Sequence, residues 1–305
     1  MPISLTILGS NAAVPAHQRH QTAQYLSIMN QNFLVDCGEG TQMQLKKYFL
    51  KANRLNHIVI SHLHGDHYYG LMGIISSMHL YGRNKDLNIF GPPGLMEIIS
   101  MHLKYSETTL NYKINLHEWT PNKVELIWEN DYITIHTIPL DHRVACSGYL
   151  FREKPKKRRI DKKRLNKELT QLQIIALKNG EDLVDNDNIV VKNEDMTLDP
   201  HPSFSYAYCS DTRYNERIID QIKDVDLLYH EATFMNDFQD RASKTYHSTT
   251  MDAAKIAKAA NAKKLLIGHF STRYKELQPM IVETREVFPN AELAIEGKNF
   301  ELSSD

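Results

Sequence analysis

Short apolar runs rich in β-branched residues recur through the first part of the chain, each closed by glycine, proline or a polar turn. They cover 3–8, 23–29, 32–37, 57–61 and 88–90, and runs of this length between turn residues read as strands. Helical spacing fills the gaps: one helix starts at Thr41 as its cap and runs to about residue 51, and others span 69–81 and 95–105. Strands at 114–119, 124–128 and 132–138 are separated by short polar turns and predict an antiparallel meander. The alternation resumes after residue 204, with strands at 204–210, 227–229, 264–268 and 292–295 and helices at 216–222, 250–260 and 274–288. Strands and helices mixed in two successive halves predict an α/β fold. They fit a four-layer sandwich with two sheets inside and helices outside.

One stretch breaks the pattern. From Arg152 to Glu168, ten basic residues face three acidic ones, a balance of +7 in 17 residues. The whole chain has a formal net charge of −1, which leaves −8 on the remainder. Residues 161–178 keep a helical apolar spacing (Leu165, Leu169, Leu172, Ile175), whereas 179–202 are polar and irregular, with little to fill a core. The segment 152–202 therefore reads as an insertion standing off a single domain of residues 1–305. Such concentrated charge suits a polyanion held at one place.

No apolar run approaches the roughly 18–20 residues that span a bilayer, and the first residues lack the pattern of a signal peptide. Cys37, Cys146 and Cys209 are widely spaced and form no Cys-x-x-Cys pair, so a disulfide framework is excluded. A reducing, cytoplasmic setting is expected.

The densest chemistry follows the strand at 57–61, in His62-Leu63-His64-Gly65-Asp66-His67. Alternate residues of extended chain share a face, so His62 and His64 point the same way. Gly65 is expected to permit a sharp turn, after which Asp66 and His67 return to the same small volume. Three imidazoles and a carboxylate at this spacing form a shared cage for two divalent ions. Two ions held close together need further donors and a bridging carboxylate to offset their repulsion. Three later donors each follow an apolar strand, where a rigid sheet could bring them to a common rim: His142, Asp211 and His269. His17 and His20 receive no role, although their loop could approach that rim.

The six-residue motif resembles the signature of the metallo-β-lactamase superfamily, and further stretches are similar to its ribonuclease Z branch. These are Leu34-Val35-Asp36-Cys37-Gly38-Glu39-Gly40-Thr41-Gln42, Gly91-Pro92-Pro93-Gly94, Ser210-Asp211-Thr212, His230-Glu231-Ala232-Thr233, His247-Ser248-Thr249 and Gly268-His269-Phe270-Ser271-Thr272-Arg273-Tyr274. The resemblance implies the four-layer αββα metallo-β-lactamase sandwich with a protruding basic arm. It also implies an endoribonuclease that trims precursor-tRNA 3′ ends, leaving a 3′-hydroxyl on the tRNA and a 5′-phosphate on the trailer.

By motif, one zinc takes His62, His64 and His142, the other Asp66, His67 and His269, and Asp211 bridges the two. Manganese or iron suits the same donors. A hydroxide shared by the ions is the implied nucleophile, with Asp66 accepting its proton. His247, steered by Glu231, is the implied proton donor to the leaving oxygen, and His230 is read as structural. The family also implies a homodimer in which 152–202 grips precursor tRNA.

Two departures stand out. Leu177-Lys178-Asn179-Gly180-Glu181 lacks the Gly-Pro element that often precedes it in family arms, and the N-terminal loop reads Val14-Pro15-Ala16-His17-Gln18-Arg19. A small-molecule hydrolase on the same scaffold is the competing reading, opposed by the basic arm and by the motifs around His230 and His269. A decayed, non-catalytic RNA binder would lack ligands, yet all seven positions hold competent donors.

Overall fold

The computed structural model describes residues 3–164, 169–185 and 188–303. These divide into two compact units, one of residues 3–152 with 204–303 and one of the described residues between 153 and 203.

The larger unit is built on two seven-stranded sheets. The first runs Asn299–Leu302, Ile3–Gly9, Ala23–Ile28, Gln31–Cys37, His57–Val59, Leu87–Gly91, Ile114–Glu118. The second runs Ala291–Leu293, Leu265–Gly268, Leu227–Glu231, Ser205–Cys209, Ser147–Glu153, Ile133–Pro139, Leu126–Glu129. Each sheet joins an antiparallel half to a parallel half. Parallel strands need crossovers, and those crossovers put helices on the outer faces.

Three apolar clusters give the layering. Ile3, Leu5, Phe33 and Val35 from the first sheet meet Ile133, Tyr149, Phe151 and Tyr206 from the second, so the two sheets pack face to face. The other face of the first sheet is covered by Leu45, Ile74, Met78 and Ile99 from the helices Thr41–Lys47, Leu71–Leu80 and Leu95–Tyr105. The other face of the second is covered by Ala253, Ile256 and Met280 from Thr250–Ala259 and Gln278–Val287. This is a four-layer αββα sandwich.

Three details differ from the sequence expectations. Residues 114–138 are not a meander: Ile114–Glu118 runs parallel to Leu87–Gly91 in the first sheet, and the next two strands belong to the second. The chain changes sheets just after buried Trp119, whose Nε1 donates to Tyr149 Oη at 2.9 Å. Thr41 caps no helix. Gly40, in the left-handed region at φ 82°, occupies that position, and the Thr41 hydroxyl donates to the Gly38 carbonyl instead. A last strand, Asn299–Leu302, pairs with Ile3–Gly9 at the sheet edge.

The smaller unit has a core of its own, made of Leu177, Leu183 and Met196 with Ile160, Leu169, Ala176 and Val191 around it. Its helix Gln171–Asn179 opens with a Thr170–Gln173 capping box and closes at Gly180, whose φ of 93° favours glycine. Residues 165–168, which carry part of the predicted basic helix, lie outside the described residues. Several basic side chains are tied down locally: Arg158 to Asp199 at 2.8 Å and Arg164 to Asp161 at 3.3 Å. Lys157, Lys162 and Lys163 enter no ion pair among the described residues. No helix among the described residues is long and apolar enough to cross a membrane.

Candidate active site

The seven predicted donors meet beyond the ends of inner strands of both sheets. His62 and His64 follow His57–Val59, and Asp66 and His67 sit in the single-turn helix Gly65–Tyr68. His142 follows Ile133–Pro139, Asp211 follows Ser205–Cys209, and His269 follows Leu265–Gly268. His62, His67, Asp211 and His269 are buried, while His64, Asp66 and His142 are partly open.

The donor atoms form two sets that share Asp211. In the first, His64 Nδ1 lies 3.1 Å from His62 Nε2 and 3.2 Å from His142 Nε2. Asp211 Oδ2 is 3.6 Å from His62 Nε2 and 3.9 Å from His142 Nε2. In the second, His67 Nε2 and His269 Nε2 are 3.3 Å apart. Asp66 Oδ2 stands 3.5 and 3.4 Å from these two nitrogens, and Asp211 Oδ1 stands 3.3 and 3.2 Å from them.

A tetrahedral ion about 2.0–2.1 Å from each donor separates its donors by roughly 3.3 Å. The second set, with separations of 3.2 to 3.5 Å, matches that edge, and the first is slightly looser on its carboxylate side. Asp211 Oδ1 is buried with no hydrogen-bond donor in good geometry among the described residues, as befits an oxygen meant for a cation. Burial alone would disfavour a charge on His67, yet Asp211, Asp66 and Asp36 raise its pKa well above an ordinary histidine's. At His67 the surrounding carboxylates thus favour positive charge, whereas burial foremost lowers the pKa of His62, His64 and His142 and keeps them neutral donors. The residues present fit a pair of divalent metals.

The opposite nitrogen of four of these donor histidines is held, which orients each ring. His67 Nδ1 donates to Asp36 Oδ2 at 2.8 Å, His142 Nδ1 to the Tyr246 carbonyl at 3.0 Å, His269 Nδ1 to Thr233 Oγ1 at 2.9 Å and His62 Nδ1 to Ser61 Oγ at 3.0 Å. Asp36 is fully buried and also accepts from the Ser61 amide and hydroxyl and from Tyr208 Oη. Two of these residues sit in the left-handed region, Asp36 at φ 56° and His269 at φ 61°, a strain that packing must sustain.

His247 stands beside the donors, with Nδ1 donating to Glu231 Oε1 at 2.8 Å. Burial opposes a charge there, but Glu231 and then Asp211 raise the His247 pKa to about 9. Glu231 could count as a donor with Asp211, His247 and His269. Its oxygens, however, already accept from the Thr212 amide (3.0 Å), His247, the Thr233 amide (3.0 Å) and the Thr233 hydroxyl (2.7 Å). It serves as a clamp, not a ligand. Ser248 donates to the Thr212 carbonyl at 2.6 Å and Thr249 forms a capping box with Asp252, while the His247 amide donates to the Ala242 carbonyl at 2.9 Å, so the turn bearing His247 is tied to the helices before and after it.

A cavity of about 570 Å³ opens over the cluster, lined by His64, Asp66, Asp211, His247 and His269. Arg143, Arg241 and Arg273 also line it, and none is in an ion pair among the described residues. Guanidiniums without acids around a pocket attract anions.

Sequence reasoning missed the residues that orient the ligands: Asp36, Ser61, Thr233 and Tyr208. The one available signal was a carboxylate inside the apolar strand 32–37. The N-terminal loop does reach the rim, through the Ala13 amide donating to Asp66 Oδ2 at 2.8 Å and not through its histidines. His17 bonds the Thr272 carbonyl, and His20 bonds Glu296.

The paired sheets and the shared-carboxylate site define a metal-dependent hydrolase of the metallo-β-lactamase fold. Among solved structures, the metallo-β-lactamase fold protein YhfI from Bacillus subtilis is 20% identical with a TM-score of 0.69, covering 99% of this chain and 100% of that one. Human tRNase Z, short form, is 25% identical with a TM-score of 0.72, covering 97% and 98%. A family described as Anti-Pycsar protein Apyc1 matches residues 3–151, the stretch that holds His62 to His142 but neither Asp211 nor His269. A ribonuclease Z from Cytophaga hutchinsonii is 46% identical over 304 residues, 99% of this chain and 97% of the relative. The chain belongs to the ribonuclease Z family.

Proposed function

We propose that this chain is an endoribonuclease that removes the 3′ trailer of precursor tRNA, leaving a 3′-hydroxyl on the tRNA and a 5′-phosphate on the trailer. The observation that carries the reading is the pair of donor sets joined through Asp211 beneath a cavity with three unpaired arginines, in a chain of this family.

Two zinc ions per chain are our reading of the metal, one on His62, His64 and His142, the other on Asp66, His67 and His269, with Asp211 between. When bound, they supply Lewis acidity to the phosphodiester and acidify water. Asp66 is fixed by the Ala13 amide and accepts the proton of the attacking water. His247 is held through Nδ1 by Glu231, which leaves Nε2 to carry a proton to the departing 3′-oxygen. Arg143, Arg241 and Arg273 face the phosphates.

Residues 152–202 are the tRNA-gripping arm in this reading, supported by Lys157, Lys162 and Lys163, which enter no ion pair among the described residues. The chain acts in the cytoplasm as a homodimer. The exposure of Phe49 (92%), Leu80 (80%) and Tyr81 (74%) supports an apolar face for a second copy.

The test is end-labelled precursor tRNA incubated with the zinc-loaded protein. Cleavage at the 3′ end of the acceptor stem is expected. An uncut precursor alongside rapid hydrolysis of a small phosphodiester would contradict the substrate.

A further inference from the structure

Two large aromatics line the metal cavity without a task in the reaction, and of these Tyr69 is exposed whereas Phe234 is buried. Tyr69 ends the Gly65–Tyr68 turn, 64% exposed, and lines the cavity beside His64 and Asp66. Large side chains on a helix lean back over the preceding turn, and Tyr69 follows that rule, its amide bonded to the Gly65 carbonyl at 2.9 Å. A Cβ placed on Gly65 would lie 2.2 Å from Tyr69 Cε2 and 2.3 Å from Cζ. Gly65 has no left-handed backbone, so the sharp turn expected of it is not why glycine is there. The missing side chain is the seat of the tyrosine ring. Tyr68 braces that ring edge-on, with centroids 5.1 Å apart.

An aromatic ring thus stands exposed at the cavity, lying over the glycine that separates His64 from Asp66 in the chain. Other lining residues of the same cavity are Arg273 and Phe234. The Arg273 guanidinium rests on the rings of Phe238, at 4.4 Å, and Phe234, at 5.1 Å. Unpaired RNA is bound by this combination, with cations on its phosphates and flat rings against its bases. Resting on the precursor-RNA reading of the site, we propose that Tyr69 is the stacking surface for the nucleobase next to the scissile phosphate, making it a specificity residue for an unpaired 3′ end.

The experiment is a double-mutant cycle. Precursor tRNAs carrying a single abasic nucleotide, immediately 5′ or immediately 3′ of the cut, are cleaved by the zinc-loaded wild type, Tyr69→Ala and Tyr69→Trp. Removing the stacked base should cost the wild type on the order of 10- to 100-fold in kcat/KM at one of the two positions. Tyr69→Ala should show a similar loss on the intact precursor and no further loss on that abasic one, and Tyr69→Trp should recover most of the activity. Losses that multiply at both positions, or a Tyr69→Ala enzyme equal to wild type, overturn the stacking role. A wild type that leaves the intact precursor uncut overturns the substrate reading and this inference with it.

Discussion

Glu231 donates nothing and accepts everything: two main-chain amides, one hydroxyl and, at 2.8 Å, the Nδ1 proton of His247. A fully buried carboxylate held by this many donors has one orientation, and it passes that orientation to the imidazole. Removing the ring while keeping the clamp tests the proton-donor role proposed for His247. His247→Ala is expected to lower turnover on precursor tRNA by roughly 10²- to 10⁴-fold, with two zinc ions per chain still found by elemental analysis. Loss of the metal would mean that His247 holds the site together.

Asp36 acts one step behind the ligands, fixing His67 from the far side of the ring. Asp36→Asn keeps the volume but changes an acceptor of four bonds into a mixed group. A drop in zinc affinity of about 10- to 100-fold is expected, read by competition with a coloured chelator. An unchanged affinity would show that His67 needs no such support.

His57 lies far from this chemistry, stacked on Phe33 at 4.6 Å between ring centroids. Burial, with His117 adding to it, lowers its pKa to about 4. An unfolded chain takes up that proton near pH 6.5, and the folded one does not. Stability is therefore full above about 6.5 and falls progressively between 6.5 and 4, by on the order of 3 kcal/mol. Urea unfolding at pH 7, 6 and 5 should show a shallower pH dependence in His57→Phe than in wild type. Equal slopes would remove His57 as the cause.

The basic unit should matter only for large substrates. Charge reversal at Lys157, Lys162 and Lys163 is expected to raise KM for precursor tRNA at least about ten-fold and to flatten its dependence on salt. Hydrolysis of a small chromogenic phosphodiester should suffer far less. Equal losses on both would separate this segment from tRNA binding.

The convergence of the seven donors was legible because the segments that carry them each follow an apolar strand, where short-period pattern and chemistry coincide. Partner choice was not, since a period of two marks a strand without saying which sheet it joins; hence the mistaken meander at 114–138. The core of residues 153–203 was hidden because Leu177, Leu183 and Met196 are far apart in sequence and meet only after folding. Gly65 misled for a similar reason, because its role depends on a ring four residues later. The Ala13 contact is made by backbone, which no residue type announces.

One assay reaches the heart of the mechanism: mapping both ends of the cleaved RNA. Water attacking phosphorus with the 3′-oxygen leaving gives a tRNA 3′-hydroxyl and a trailer 5′-phosphate. A 2′,3′-cyclic phosphate on the tRNA would mean that the substrate's own 2′-hydroxyl attacked, and the roles given to Asp66 and His247 would be wrong.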